Sequence, residues 1–284
     1  MHGVRYPVVE LRQYTLRPGQ REVLIDLFDR EFVESQEAAG MAIVGQFRDL
    51  DDPDRFVWIR GFPSMPARAR ALASFYGGPV WKAHSAQANA TMIDSDNVLL
   101  LRPVTARSGF PAPAAPRLPA GHAPPGSERI LVTLYYRDHP FDEAFADFFD
   151  RQARPVFTET GATPLACLQT EHAANTFPAL PVRTGENVFV WLARFASPAH
   201  LSRHLHQLER SARWRDHVLT GLSAHDDRRT AAAPARPHRP VPAALRTRSE
   251  SLPGPSWQVT LRSRQPPRVM PGVLAAAGLS PPGP

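Results

Sequence analysis

FVWIRGFPS, residues 56–64, returns as FVWLARFAS at residues 189–197. Val57 pairs with Val190, Trp58 with Trp191 and Phe62 with Phe195, each 133 positions apart. PVWKAH (79–84) and ARWRDH (212–217) keep that offset, with Trp81 three residues before His84 and Trp214 three before His217. Upstream, LIDLFDRE (24–31) matches AFADFFDRQ (144–152) at an offset of 121, as do Tyr14 with Tyr135 and Gly40 with Gly161. The offset grows by 12 at one place only. There the second copy carries the loop TEHAANTFPALPVRTGEN (170–187), where the first has the turn DLDDPD (49–54). One loop insertion between two otherwise aligned copies marks a duplicated domain.

Each copy reads as β-α-β-β-α-β. Val8–Leu16 alternates and ends at Pro18-Gly19, a strand and its turn. Apolar residues at 24, 27, 28 and 32 have helical spacing, and Gly40 is suited to a left-handed cap. Ala42–Phe47 and Arg55–Phe62 form a hairpin around Asp51-Asp52-Pro53, and Ser64 with Pro66 opens a second helical region, interrupted at Gly77-Gly78-Pro79. Val98–Arg102 closes the copy. The second copy repeats this over Ile130–Tyr136, Phe141–Thr160, Thr163–Thr170, Asn187–Phe195 and Pro198–Leu222, without a clear fourth strand. Val241–Arg246 and Trp257–Arg262 compete for that place, and the neighbourhood of Leu245 is preferred.

The βαββαβ unit is a ferredoxin-like split, with helices on one face of its sheet. The bare face must also be covered. Two such units in one chain satisfy this by packing sheet on sheet into a closed barrel of about eight strands, filled by side chains or holding one small ligand. The expected fold is therefore α+β: unit one over 1–104, a Pro/Ala-rich linker over 105–127, unit two over 128–228, and a Pro/Arg/Ala-rich tail over 229–284. The tail has few large apolar side chains to offset its ordering entropy, so most of it is expected to be disordered.

VVELRQYTLRPGQ (8–20), followed by FVWIRGFPS, VWKAH and MIDSDNVLLLRP (92–103), resembles the NIPSNAP family, strongly over roughly 6–104 and more weakly over 128–225. The resemblance implies a dimeric α/β barrel, here built within one chain. It implies no single reaction; related barrels include cofactor-free monooxygenases, isomerases, polyketide cyclases and haem enzymes, an analogy of fold rather than of site.

Residues 228–284 carry nine arginines against one acid, Glu250, whereas 1–227 carry 24 basic and 26 acidic side chains. The basic excess thus belongs to the tail, and Lys82 as the sole lysine reads as GC-rich, bacterial coding rather than a nucleic-acid signature. No nucleic-acid partner and no membrane span are expected, the start lacks a signal core, and a cytoplasmic protein is the default; further homo-oligomerisation is left open. Cys167 excludes an internal disulfide and reads as a buried, inert thiol. No phosphate loop, nucleophile elbow or CxxC is present, and no cofactor or metal is implied.

Strand one alternates two sets. If Glu10, Arg12 and Tyr14 face the lumen, they could bind and polarise an oxygenated substrate, with Arg12 on a developing enolate or carboxylate, Glu10 as base or orienter and Tyr14 as donor. The bland reading is a Glu–Arg pair satisfying itself beside an aromatic. Only Tyr135 survives in copy two, beside Leu131 and Thr133, so a polar site would be one-sided. His84 is a candidate acid/base and His217 its counterpart, set against helices anchored by Trp81 and Trp214. Trp58, Trp81, Tyr135, Trp191 and His217 would contact a ligand, although Trp58 and Trp191 read first as core. His200 and His204 read as a solvated helix face despite their metal-like spacing, and Asp94 and Asp96 as a polar turn. Two functions follow: binding of a small apolar oxygenated molecule in the lumen, with cofactor-independent oxygenase, isomerase or cyclase chemistry open, or a non-catalytic scaffold with a packed barrel.

Overall fold

The computed structural model describes residues 5–111 and 128–224, together with the backbone of strand 257–263. In chain order, β1 (Val8–Leu16) leads to α1 (Arg21–Leu27), which runs through a π-helical turn at Phe28–Phe32 into α2 (Val33–Ala38). The hairpin β2 (Ala42–Asp49) and β3 (Arg55–Phe62) follows, then α3 (Met65–Tyr76), α4 (Pro79–Thr91), the short β4 (Met92–Asp94) and β5 (Val98–Pro103). The second half repeats the plan. It runs through β6 (Arg129–Arg137), α5 (Glu143–Phe148), a π-helical turn at Phe149–Ala153, α6 (Arg154–Glu159), β7 (Thr163–Thr170) and β8 (Asn187–Phe195). It ends with α7 (Pro198–Arg210), a π-helical turn at Trp214–Val218, α8 (Leu219–Ala224) and β9 (Trp257–Ser263). Even the first two π-helical turns occupy paired positions, 121 residues apart.

Local chemistry sets the boundaries. Ser64 and Ser197 cap α3 and α7 by accepting from the backbone N–H of Ala67 and His200, and a proline follows each cap within the first turn. Gly40 and Gly161 both stand at φ 95°, the left-handed conformation that ends the first helical run of each half.

The sheets close. Around the ring the order is β1, β3, β2, β9, β6, β8, β7, β5 and back to β1, with β4 added beside the end of β1. The seams between halves are β5 on β7 and β2 on β9. The fold is thus the expected pair of ferredoxin-like units forming one barrel within a single chain. One expectation is corrected. The missing strand is Trp257–Ser263 rather than the Leu245 region, which lies outside the described residues, as does most of the tail expected to be disordered. Moreover β9 runs parallel to β6, whereas its counterpart β5 runs antiparallel to β1. The start of the expected linker is also anchored: the Ser108 hydroxyl donates to the Cys167 carbonyl at 2.9 Å and its own carbonyl accepts from the Cys167 N–H.

Both faces of the barrel wall are buried. Val9, Leu11, Val57, Ile59, Leu99 and Leu101 meet Ile130, Val132, Leu168, Val190 and Leu192 in a core drawn from the strands of both halves. Outside the wall, each half packs its own helices on its own sheet, around Trp58 with Phe28 and Phe62 in one and Trp191 with Phe157 and Phe195 in the other.

Candidate functional site

The alternation of β1 places Val9 and Leu11 inside the barrel and Glu10, Arg12 and Tyr14 outside it, under the helices of the first half. The expected lumen site is therefore corrected: among the described residues the inner face of the barrel is lined mainly by aliphatic side chains, with Phe47, and not by Arg12 and Tyr14. The polar side chains instead converge between the sheet and α2 and α3.

Glu10 sits at the centre, fully buried. Its Oε2 accepts from Arg12 Nη1 and Arg60 Nε, both at 2.7 Å, and its Oε1 from Arg68 Nε at 2.6 Å. Sheet register brings Arg60 in, because it lies directly across from Glu10 on β3. The first turn of α3 brings Arg68. All three guanidiniums are at most 1% exposed, so one carboxylate faces three cations in a desolvated space. Burial alone would raise the Glu10 pKa, yet Arg60, Arg12 and Arg68 hold it far below the usual carboxylate range. Glu10 is thus a fixed counter-ion rather than the base considered above. Arg60 also donates to Gln36 Oε1 at 3.1 Å. Arg60 Nη2 and Arg68 Nη2 have no partner.

Arg12 Nε donates to the Tyr14 hydroxyl at 2.8 Å, which leaves the Tyr14 proton to be given elsewhere. Burial raises the Tyr14 pKa more than Arg12 lowers it, so that proton is retained at neutral pH. Tyr14 lines a cavity of about 30 Å³ together with Gln36, Trp58, Phe75, Tyr76 and Trp81. The indole Nε1 of Trp58 is also without a partner. Two donors therefore stand on a mainly aromatic wall.

The structure brings Glu10, Arg12, Tyr14, Trp58 and Trp81 into one region and leaves the other candidates out. His84 lies beyond Phe32, its ring 6.4 Å from that of Phe32 and its Nε2 3.5 Å from Glu31 Oε2 on the half-exposed helix surface. Tyr135 and Trp191 belong to the aromatic core of the second half, where Trp191 stacks on Phe157 at 4.2 Å, and His217 is exposed. His204 is buried, its Nδ1 2.8 Å from Thr160 Oγ1, so the expectation of a solvated histidine pair on α7 is corrected. Asp94 and Asp96 form a turn, with Asp94 Oδ1 accepting from the Asp96 N–H. Cys167 is buried, which pushes its thiol pKa up to about 12.

Gln36, Arg60, Arg68 and Tyr76 were not among the candidates, and neither were Asn175 and Thr176. The last two come from the 12-residue insertion of the second half and accept from Arg68 Nη1 at 2.9 and 3.1 Å. The repeat alignment held the signal. Glu10, Arg12, Gln36, Arg60 and Arg68 have Leu131, Thr133, Phe157, Ala193 and Leu201 at their paired positions.

Residues 9–106 match the NIPSNAP family model, in agreement with the resemblance read from strand one and the LLLRP end. No curated protein matches the chain. Among solved structures, a NIPSNAP family protein of unknown function from Agrobacterium tumefaciens is similar at 22% identity, over 36% of this chain and 94% of its own, with a TM-score of 0.33. Two candidate monooxygenases align across both halves. One, from Lactobacillus acidophilus, shows 13% identity over 76% of this chain and 87% of its own, with a TM-score of 0.43. The other, from Fusobacterium nucleatum, shows 9% identity over 78% and 88%, with a TM-score of 0.47. Among the described residues no helix is long and apolar enough to cross a membrane.

Proposed function

We propose that the NIPSNAP-type half is a ligand-binding unit with one site per chain, which takes a small, flat, largely apolar molecule by a carbonyl-type oxygen. The observation that carries this reading is the wholesale loss of the polar cluster from the second half. That half builds the same strands and helices with Leu131, Thr133, Phe157, Ala193 and Leu201 where the first has its charges. Burying each ion costs several kcal/mol that only good pairing offsets. A fold that stands without the cluster in one copy does not need it in the other, so a role outside folding accounts for its presence.

The donor set defines the ligand. Tyr14 and Trp58, each with a proton to give, line a mainly aromatic wall, which suits an oxygen that only accepts. The cavity has room for on the order of two water molecules. A larger ligand therefore enters by displacing side chains at its rim. Tyr14, backed by the Arg12 cation, would stabilise negative charge developing on a bound carbonyl, the element common to enolisation, oxygenation and cyclisation. The residues that line the cavity supply no carboxylate or imidazole as proton acceptor. The site is therefore one for binding.

Two measurements test this. Native mass spectrometry of the protein purified from its own host should show a co-purifying small molecule. In titrations followed by tryptophan fluorescence, 1-tetralone should bind and tetralin, which lacks the oxygen, should not. Tyr14→Phe should weaken tetralone about 2- to 10-fold, as loss of one neutral hydrogen bond does. Equal behaviour of the two probes, or an unchanged Tyr14→Phe, would overturn the reading.

A further inference from the structure

The insertion loop of the second half lies across the polar cluster of the first. Glu171 N–H donates to the Leu100 carbonyl at 2.9 Å and Arg183 N–H to the Val98 carbonyl at 2.8 Å, which pins both ends of the loop to β5. Between these anchors, Phe177 stacks on Tyr76 with ring centroids 6.0 Å apart, and Thr176 Oγ1 donates to the Met65 carbonyl at 3.3 Å. Among the described residues, Asn175 and Thr176 are the loop groups that hydrogen-bond to Arg68, and both are neutral. The guanidinium they cover is fully buried, shares its one carboxylate with two other arginines, and keeps Nη2 unpaired.

From this arrangement we infer that Arg68 is the anchor for a carboxylate group of the ligand, and that Asn175 and Thr176 hold its place until the ligand displaces them. The inference rests on the site proposed above and adds the chemical class of the ligand's second polar group. The Nη1 and Nη2 edge of Arg68 presents two parallel N–H donors, the fork that a carboxylate accepts bidentately. Its Nε remains on Glu10, so the fork is aimed and rigid. A monoanion there lowers the excess positive charge of the cluster from two to one, which neutral loop oxygens cannot do. Phe177 stacks on Tyr76, which lines the cavity, and this aromatic pair offers a surface to the ligand's ring. Tyr76 is at once a wall of the cavity and the seat of the loop. The insertion thereby explains itself: the half that lost the cluster supplies the cover for the half that kept it.

The test compares 2-naphthoate with 2-naphthamide, which share ring and shape and differ in charge, on the full chain. Naphthoate should bind the more tightly. Arg68→Lys, which keeps the charge and removes the fork, should weaken naphthoate about 10- to 100-fold, the range for losing charge-assisted hydrogen bonds, and leave naphthamide within about 2-fold. The double variant Asn175→Ala/Thr176→Val removes the competing acceptors. It should melt earlier than the parent without ligand, and bind naphthoate more tightly by a few-fold or more. A loop that is merely structural predicts weaker or unchanged binding in that double variant, and this outcome overturns the inference even if Arg68→Lys fails to fold. Equal affinity for the two probes also overturns it. If Tyr14→Phe leaves 1-tetralone unaffected while naphthoate still needs Arg68, the carbonyl reading fails and the anchor stands.

Discussion

Glu10 has three guanidinium partners and no route to water, so its removal strands three buried cations. Glu10→Gln keeps the shape and deletes the charge. It should destabilise the fold by about 3–5 kcal/mol in denaturant unfolding at pH 7, as expected when one partner of a buried ion pair is lost. The sign of the pH dependence follows from the direction of the shift. The folded-state pKa of Glu10 lies far below its unfolded value of about 4.3, so the stabilisation is present above roughly pH 5 and is lost as pH falls from there. The gap between parent and Glu10→Gln should therefore stay level above about pH 5 and narrow steadily from there to about pH 3; a constant gap over the whole range would show that the arginines do not hold the carboxylate. At this scale the sequence was half legible. Strand one showed that Glu10, Arg12 and Tyr14 share a face, but not which face. In a barrel wrapped by helices both sides of a strand are dry, and a burial argument cannot separate them. Arg60 and Arg68 were hidden because their pairing to Glu10 depends on sheet register and helix docking, which no local pattern records.

Strand β9 is the element least visible beforehand. It lies in a proline-rich stretch, and the window 241–246 was preferred to it. Its place is set from outside: β2 and β6 each present an open edge, and a seven-residue segment between them gains two ladders of backbone hydrogen bonds at once. Such a segment needs little burial of its own to be held, so composition understated it. The helices and the other strands, by contrast, carry their own period, caps and glycines, and their boundaries were readable. A chain truncated after residue 249 removes β9 and leaves both edges bare. It should unfold at a lower temperature than the full chain and self-associate with rising concentration, as unpaired edges template further pairing. Thermal melts and light scattering after size-exclusion chromatography measure both. A truncated chain that stays monomeric and melts unchanged would deny β9 its role in closing the ring.

At the scale of the molecule, the duplication argued for two bare sheet faces that had to cover each other, and the barrel follows. Whether the enclosed space is hollow or full was not legible, because strands that alternate apolar residues look the same around a ligand and around each other's side chains. Here Leu99 and Leu101 from one half share one buried cluster with Val190 and Leu192 from the other. A core shared in this way ties the stability of the halves together, since neither can open without exposing the other's strands to water. Leu99→Ala in the first half and Leu192→Ala in the second should each cost about 2–5 kcal/mol, the range for truncating a buried leucine. More telling is the form of the transition. Each variant should shift one common unfolding step, followed equally by hydrogen exchange at β3, which carries Trp58, and at β8, which carries Trp191. Neither should impair binding of 1-tetralone at a temperature where the variant remains folded, because the lumen is separated from the cavity by the barrel wall. Two resolved transitions, with only the mutated half destabilised, would mean that the halves stand independently and that the lumen is an interface rather than a core.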